Sequence, residues 1–135
     1  MRYHVFVYGT LLRGEANHAL LRGAELLSAE ARVRGALYDT GEGYPALVLD
    51  ENDGTVAGEI YAVDRRTLRL LDELEDYFGP GDPRNLYERV ETAAAAPDGG
   101  RRVLVYVFPA ARAAGLHRIA GGDWRKRRHL SPPSV

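Results

Sequence analysis

Four acids crowd into residues 65 to 77, and one of them stands apart from Asp72, Glu73 and Asp76. At 100 degrees per residue, Leu68, Leu70, Leu71 and Leu74 centre on one side of a helical wheel. Asp72, Glu73 and Asp76 point more than a right angle away from that centre. Glu75 follows Leu68 by seven residues and Leu71 by four, which puts it on the shoulder of the packing face. Two readings stay open for such a residue. Its stem can cover apolar surface while the carboxylate reaches water. Alternatively it borders a cavity, where partial desolvation raises its pKa and makes it a usable general base.

A second chemical feature is the break in VFVYGTLLRG, residues 5 to 14, where an apolar run gives way to Tyr8-Gly9-Thr10-Leu11. A glycine bend after a buried strand directs consecutive N–H groups away from any ladder, an arrangement that gathers anions or a developing oxyanion. Gly9 would let a ligand approach the backbone with no Cβ in the way. An ordinary tight turn accounts for the same four residues.

The other candidates are weaker. His4, His18, His117 and His129 lack metal-ligand spacing. Glu59 shares a strand face with Ala57, Tyr61 and Val63, so it is either paired with an arginine or lines a pocket. Gly9, Gly14 and Gly23 are wrongly spaced for a dinucleotide fingerprint, and no Walker motif occurs. The run Arg125-Lys126-Arg127-Arg128 reads as a solvated tail before it reads as a nucleic-acid contact.

Alternating and periodic patterns set out the elements that must position these groups. Residues 3 to 8 form a strand apolar on both faces, and a short helix is expected from Glu15 to Leu21. A strand over 31 to 38 leads into the loop TGEGYP, residues 40 to 45. Residues 46 to 49 and 55 to 63 are strands, with ENDG at 51 to 54 suited to a hairpin turn between them. Asp64 caps a helix over 65 to 77, and 78 to 83 is a loop. Strands from Tyr87 to Thr92 and Arg102 to Phe108 form a second hairpin across 97 to 100. The outline is α+β, mostly strand with one well-signalled helix, its sheet curling toward a barrel.

The 135 residues are enough for one domain with a real core. Eighteen Lys plus Arg against nineteen Asp plus Glu leave a net charge of -1, which argues against nucleic acid as the partner. The absence of cysteine excludes disulfides, thiolate catalysis and cysteine-bound zinc, and fits a cytoplasmic protein. Neither a membrane span nor a signal peptide is expected. Oligomeric state is not set by the sequence.

FVYGTLLRGEANHALL at 6 to 21, GEGYPALV at 41 to 48, GEIYAV at 58 to 63, LDELEDY at 71 to 77 and YERV at 87 to 90, taken in order, resemble the gamma-glutamylcyclotransferase-like superfamily. The likeness is nearest to its small bacterial members and its gamma-glutamylamine cyclotransferases. It implies a small mixed β-barrel-like sheet with short flanking helices over residues 1 to 124, followed by a basic tail, 125 to 135. It also implies an enzyme that cyclises a γ-glutamyl amide or γ-glutamylamine to 5-oxoproline and frees the amine or amino acid. By that resemblance Glu75 is the catalytic glutamate and Tyr8, Gly9, Thr10 and Leu11 hold substrate. Gly43, Tyr44 and Pro45 shape the pocket and Tyr87 lines it, with no cofactor implied. The rival is a protein that uses the same cavity to bind a small carboxylate without catalysis.

Overall fold

A computed structural model describes residues 1–49 and 54–130, with side chains described through Arg127. β1 (Tyr3–Val7) ends at Tyr8, and a series of tight turns leads to a 3-10 turn at His18–Leu21. That turn is all that forms of the helix expected from Glu15; residues before it spend their N–H groups on reverse turns, such as Glu15 N–H to the Leu12 carbonyl at 2.9 Å. β2 (Glu25–Asp39) is longer than the expected strand at both ends. Register shifts between Leu26 and Ser28 and between Ser28 and Ala31 let it bend around the body.

β3 (Pro45–Leu49) and β4 (Thr55–Val63) both pair antiparallel with β2, from Asp39 opposite Pro45 to Glu25 opposite Ala62. They pair with successive stretches of β2, and no pairing links them to each other among the described residues. The hairpin expected at 51 to 54 is therefore not the connection that organises them; residues 51 to 53 lie outside the described residues.

α1 (Arg65–Leu74) is capped by Asp64, whose carboxylate accepts the Thr67 N–H at 2.7 Å. It buries Leu68 and Leu71 and leaves Leu70 40% exposed, so the packing face is narrower than the wheel predicts. The helix stops three residues early. Asp76 adopts φ 51, its N–H reaches the Glu73 carbonyl at 3.3 Å, and the Tyr77 N–H reaches the Asp72 carbonyl at 2.9 Å. These two bonds close the helix in the left-handed manner usually assigned to glycine.

β5 (Glu88–Ala95) and β6 (Arg101–Val107) form the expected hairpin. β1 lies between β4, antiparallel, and β6, parallel. β5 then pairs with β2 at Arg32–Ala95 and Val33–Ala94. The order β2-β4-β1-β6-β5-β2 closes on itself, a five-stranded barrel, with β7 (His117–Arg118) on the outer end of β2. Phe6, Val33, Ile60, Leu71, Val105 and Trp124 belong to one buried cluster that fills and seals it.

The basic run does not leave the body as a solvated tail. Trp124–Leu130 forms a 3-10 helix, Trp124 is buried, and the Arg127 guanidinium lies 3.6 Å from the centre of its ring. No helix among the described residues is long and apolar enough to cross a membrane.

Candidate active site

A cavity of about 200 Å³ lies where the end of β1 meets the end of α1. Tyr8, Gly9, Thr10 and Leu11 line one side, Leu74, Glu75 and Asp76 another, and Tyr44, Pro45 and Tyr87 a third. The two chemical features singled out in the sequence thus share one hollow.

Position follows from how each segment ends. The short closure of α1 turns the chain at Asp76, so Glu75 faces the cavity and does not continue along the helix surface. Burial pushes the Glu75 carboxyl up to about 7, with the neighbouring Asp76 carboxylate adding to the rise. No described group donates a hydrogen bond to it.

Opposite, the loop after β1 is tied at nearly every polar group. The Gly9 carbonyl accepts Leu12 N–H at 3.1 Å, and the Thr10 carbonyl accepts Asn17 N–H at 2.8 Å. Thr10 Oγ1 accepts from Asn17 Nδ2 at 3.0 Å, and His18 Nδ1 donates to the Leu11 carbonyl at 2.9 Å. Among the described residues, none accepts from the N–H groups of Gly9, Thr10 or Leu11. Three consecutive donors beside an uncompensated carboxylate can hold one anionic and one cationic group of a single small molecule.

Gly9 is required for a different reason from the one expected. A Cβ there would stand 2.6 Å from Pro45 Cγ, so the space is taken by protein and not left for a ligand. Tyr8 lines the cavity, but its hydroxyl is committed to the protein. Its hydroxyl donates to the Tyr106 carbonyl at 2.7 Å and accepts Leu47 N–H at 3.2 Å, leaving only the ring for the cavity. The Tyr87 hydroxyl is likewise committed, donating to the Pro45 carbonyl at 2.6 Å. Burial raises the pKa of both phenols, and the Glu75 charge adds to it. Tyr44 is half-buried, and its hydroxyl has no partner among the described residues. Gly43, at φ 93, is exposed and does not line the cavity; it turns the chain into Tyr44.

Several lining residues were not foreseen. Tyr106 reaches the cavity from β6 and donates to Asp72 Oδ1 at 2.7 Å, while Arg89 pairs with Asp72 Oδ2 at 2.7 Å. Asn17 lines the cavity as well as clamping Thr10. Asp76 borders it because the wheel ceases to apply one residue past the helix. Asn85, buried, stitches residues 78 to 86 into a closed loop by accepting Phe78 N–H at 2.6 Å and donating to the Gly79 carbonyl at 2.7 Å. No motif announces Tyr106 or Asn85; each depends on contacts distant in sequence or on loop closure.

A small closed barrel with its cavity between the first strand's end and the mid-chain helix defines a known class. Residues 5–126 match the family described as gamma-glutamyl cyclotransferase, AIG2-like, and the chain belongs to that family. It is 49% identical over 105 residues to the gamma-L-glutamyl-butirosin B gamma-glutamyl cyclotransferase of Niallia circulans, covering 78% of this chain and 66% of that protein. Over 123 residues it is 33% identical to the gamma-glutamylcyclotransferase family protein YtfP of Escherichia coli, covering 91% and 96%. The crystal structure of YkqA from Bacillus subtilis superposes with a TM-score of 0.77 at 28% identity, over 96% of this chain and 42% of that one. The chain thus spans less than half of YkqA and about two thirds of the Niallia protein.

Proposed function

We propose that this protein is a cyclotransferase acting on a γ-glutamyl amide or γ-glutamylamine, with Glu75 as general acid and base. The observation that carries the reading is that Glu75 lines one cavity with Gly9, Thr10 and Leu11, whose N–H groups find no acceptor among the described residues.

The substrate's own α-nitrogen attacks its γ-carbonyl carbon, the bond to the leaving nitrogen breaks, and the products are 5-oxoproline and a free amine. Because nucleophile and electrophile belong to one molecule, the protein needs to supply orientation, a base and stabilisation of the oxyanion. The substrate's α-amine stands beside its own free carboxylate and so titrates above the about 7.7–8.0 of a peptide N-terminus, which leaves nearly all of it as ammonium at neutral pH. A carboxylate near 7 accepts that proton far better than a solvated one at about 4.3. After attack Glu75 returns a proton to the leaving nitrogen. The amides of residues 9 to 11 receive the α-carboxylate or the charge that develops on the carbonyl oxygen.

A cavity of about 200 Å³ has room for a small molecule and not merely for a trapped water. That suits a γ-glutamyl group, with the leaving part projecting outward past Tyr44 and Asp76. The name of the Niallia relative, a cyclotransferase for a γ-glutamylated compound, supports the same substrate class. A protein that merely bound carboxylates would be hindered by an acid with no partner beside its ligand.

Incubating the purified chain with γ-glutamyl dipeptides and γ-glutamylated amines, and quantifying 5-oxoproline, tests the proposal. Wild type should turn over at least one class. Glu75→Gln should lower turnover by about a hundredfold or more. Near wild-type release of 5-oxoproline from the variant would overturn the assignment.

A further inference from the structure

Outside the cavity lining, Glu59 is completely buried with four donors around it. It stands opposite Val7, the last rung of the β1–β4 ladder, just where the chain departs into the loop. Its Oε1 accepts the backbone N–H of Arg13 at 3.1 Å and the Tyr61 hydroxyl at 3.0 Å. Its Oε2 accepts Arg13 Nε at 2.9 Å and lies 3.7 Å from the Arg125 guanidinium. Arg125 is itself oriented by Asp123, Nε to Oδ1 at 3.2 Å. Arg127 of the same 3-10 helix lies 3.8 Å from Glu15, at the far end of the loop.

A buried carboxylate holding both the main chain and the side chain of one residue fixes that residue's position and orientation together. Arg13 is four residues past Gly9, and the Leu12 N–H to Gly9 carbonyl bond couples the two positions through a single turn. If Arg13 shifts, the turn shifts with it, and so do the amides of Gly9, Thr10 and Leu11. A misplacement of about 1 Å at such donors is costly to a reaction that depends on orientation.

We propose that Glu59 and Arg13 form a positioning pair that aims the three free amides into the cavity before substrate arrives, with Arg125 tying the C-terminal helix into the same joint. The pair touches no substrate. It acts through the loop, and it rests on the reading that those amides hold the γ-glutamyl group.

Two variants open the joint from its two sides. Arg13→Met removes an exposed guanidinium and leaves Glu59 with the Arg13 N–H, Tyr61 and Arg125, so folding is retained. Glu59→Gln places an amide N–H₂ where Arg13 Nε–H needs an acceptor. Each should raise KM for a γ-glutamyl amide about tenfold, the size of a lost charge-assisted hydrogen bond. The pH profile of kcat should not move, because Glu75 is untouched. The double variant should be no worse than either single one, since both open one joint. Backbone ¹⁵N relaxation supplies a readout independent of turnover: order parameters of Gly9 to Leu11 should fall from about 0.85 to below about 0.6 in Arg13→Met. Unchanged KM together with unchanged kcat, or multiplicative single effects, would overturn the proposal, and so would unchanged order parameters. If the wild type released no 5-oxoproline from any substrate, the functional reading would fail instead, and the relaxation comparison would still decide whether the pair positions the loop.

Discussion

Pro45 occupies the volume that a side chain on Gly9 would need, with its Cγ and Cδ at 2.6 and 2.7 Å from the ideal Cβ position. Pro45 is held in turn through its carbonyl by Tyr87. The pocket loop and the amide loop are therefore in van der Waals contact through a missing side chain.

Gly9→Ala should consequently act first on packing. Neither backbone loop can yield without disturbing the cavity, so a loss of about 1–3 kcal/mol is expected, the usual range for overpacking. A thermal melt beside calorimetric titration with 5-oxoproline checks this. Wild-type Tm with lost binding would show that ligand approach, and not Pro45, demands the glycine.

Glu75→Gln should change stability in a pH-dependent way. A carboxyl whose folded-state pKa is raised from 4.5 to about 7 favours folding while protonated. That contribution is fully present below about 4.5 and is lost as pH rises through about 7. At pH 8 the glutamine variant should melt higher than wild type, by an amount on the order of 2 kcal/mol, and at pH 4 the two should coincide. Equal melting temperatures at both pH values would show that the carboxylate is solvated.

Asp76→Asn removes the neighbouring charge that adds to the rise at Glu75. The ascending limb of the kcat profile should move to lower pH by less than the full elevation, because burial is the larger cause. A shift to higher pH would contradict the electrostatic account.

Tyr8→Phe isolates ring from hydroxyl. It strands the Leu47 N–H and the Tyr106 carbonyl, at a cost of about 1–3 kcal/mol in stability. Turnover measured well below the melting temperature should stay close to wild type. A large fall in kcat with an unchanged melt would give the hydroxyl a chemical role.

The elements that were legible in the sequence are those whose signals are local. β4 matches its expected bounds, the Asp64 cap forms as read, and the β5–β6 hairpin follows its turn residues. Glu75 was legible only in part: the wheel put it on the shoulder of the packing face but left a solvated carboxylate open, and its place in the cavity follows from the helix end. The helix end was not: a left-handed Asp76 closes α1 where the usual glycine signal is lacking. The reason for Gly9 was hidden for another cause, since the Pro45 contact spans thirty-six residues and no periodic pattern encodes it. The Arg13–Glu59 pair crosses a comparable distance, and the sequence leaves its arginine unspecified.

The parallel contact of β1 with β6 has a consequence during synthesis. β1 is synthesised before both of its neighbours, β4 and β6, and β6 ends at Val107. Closure through Arg32 and Ala95 likewise joins distant parts of the chain. Such non-local topology makes folding slow and leaves apolar strands waiting. Nascent chains halted before residue 101 should engage chaperones through YHVFV, whereas released chains that include β6 should not.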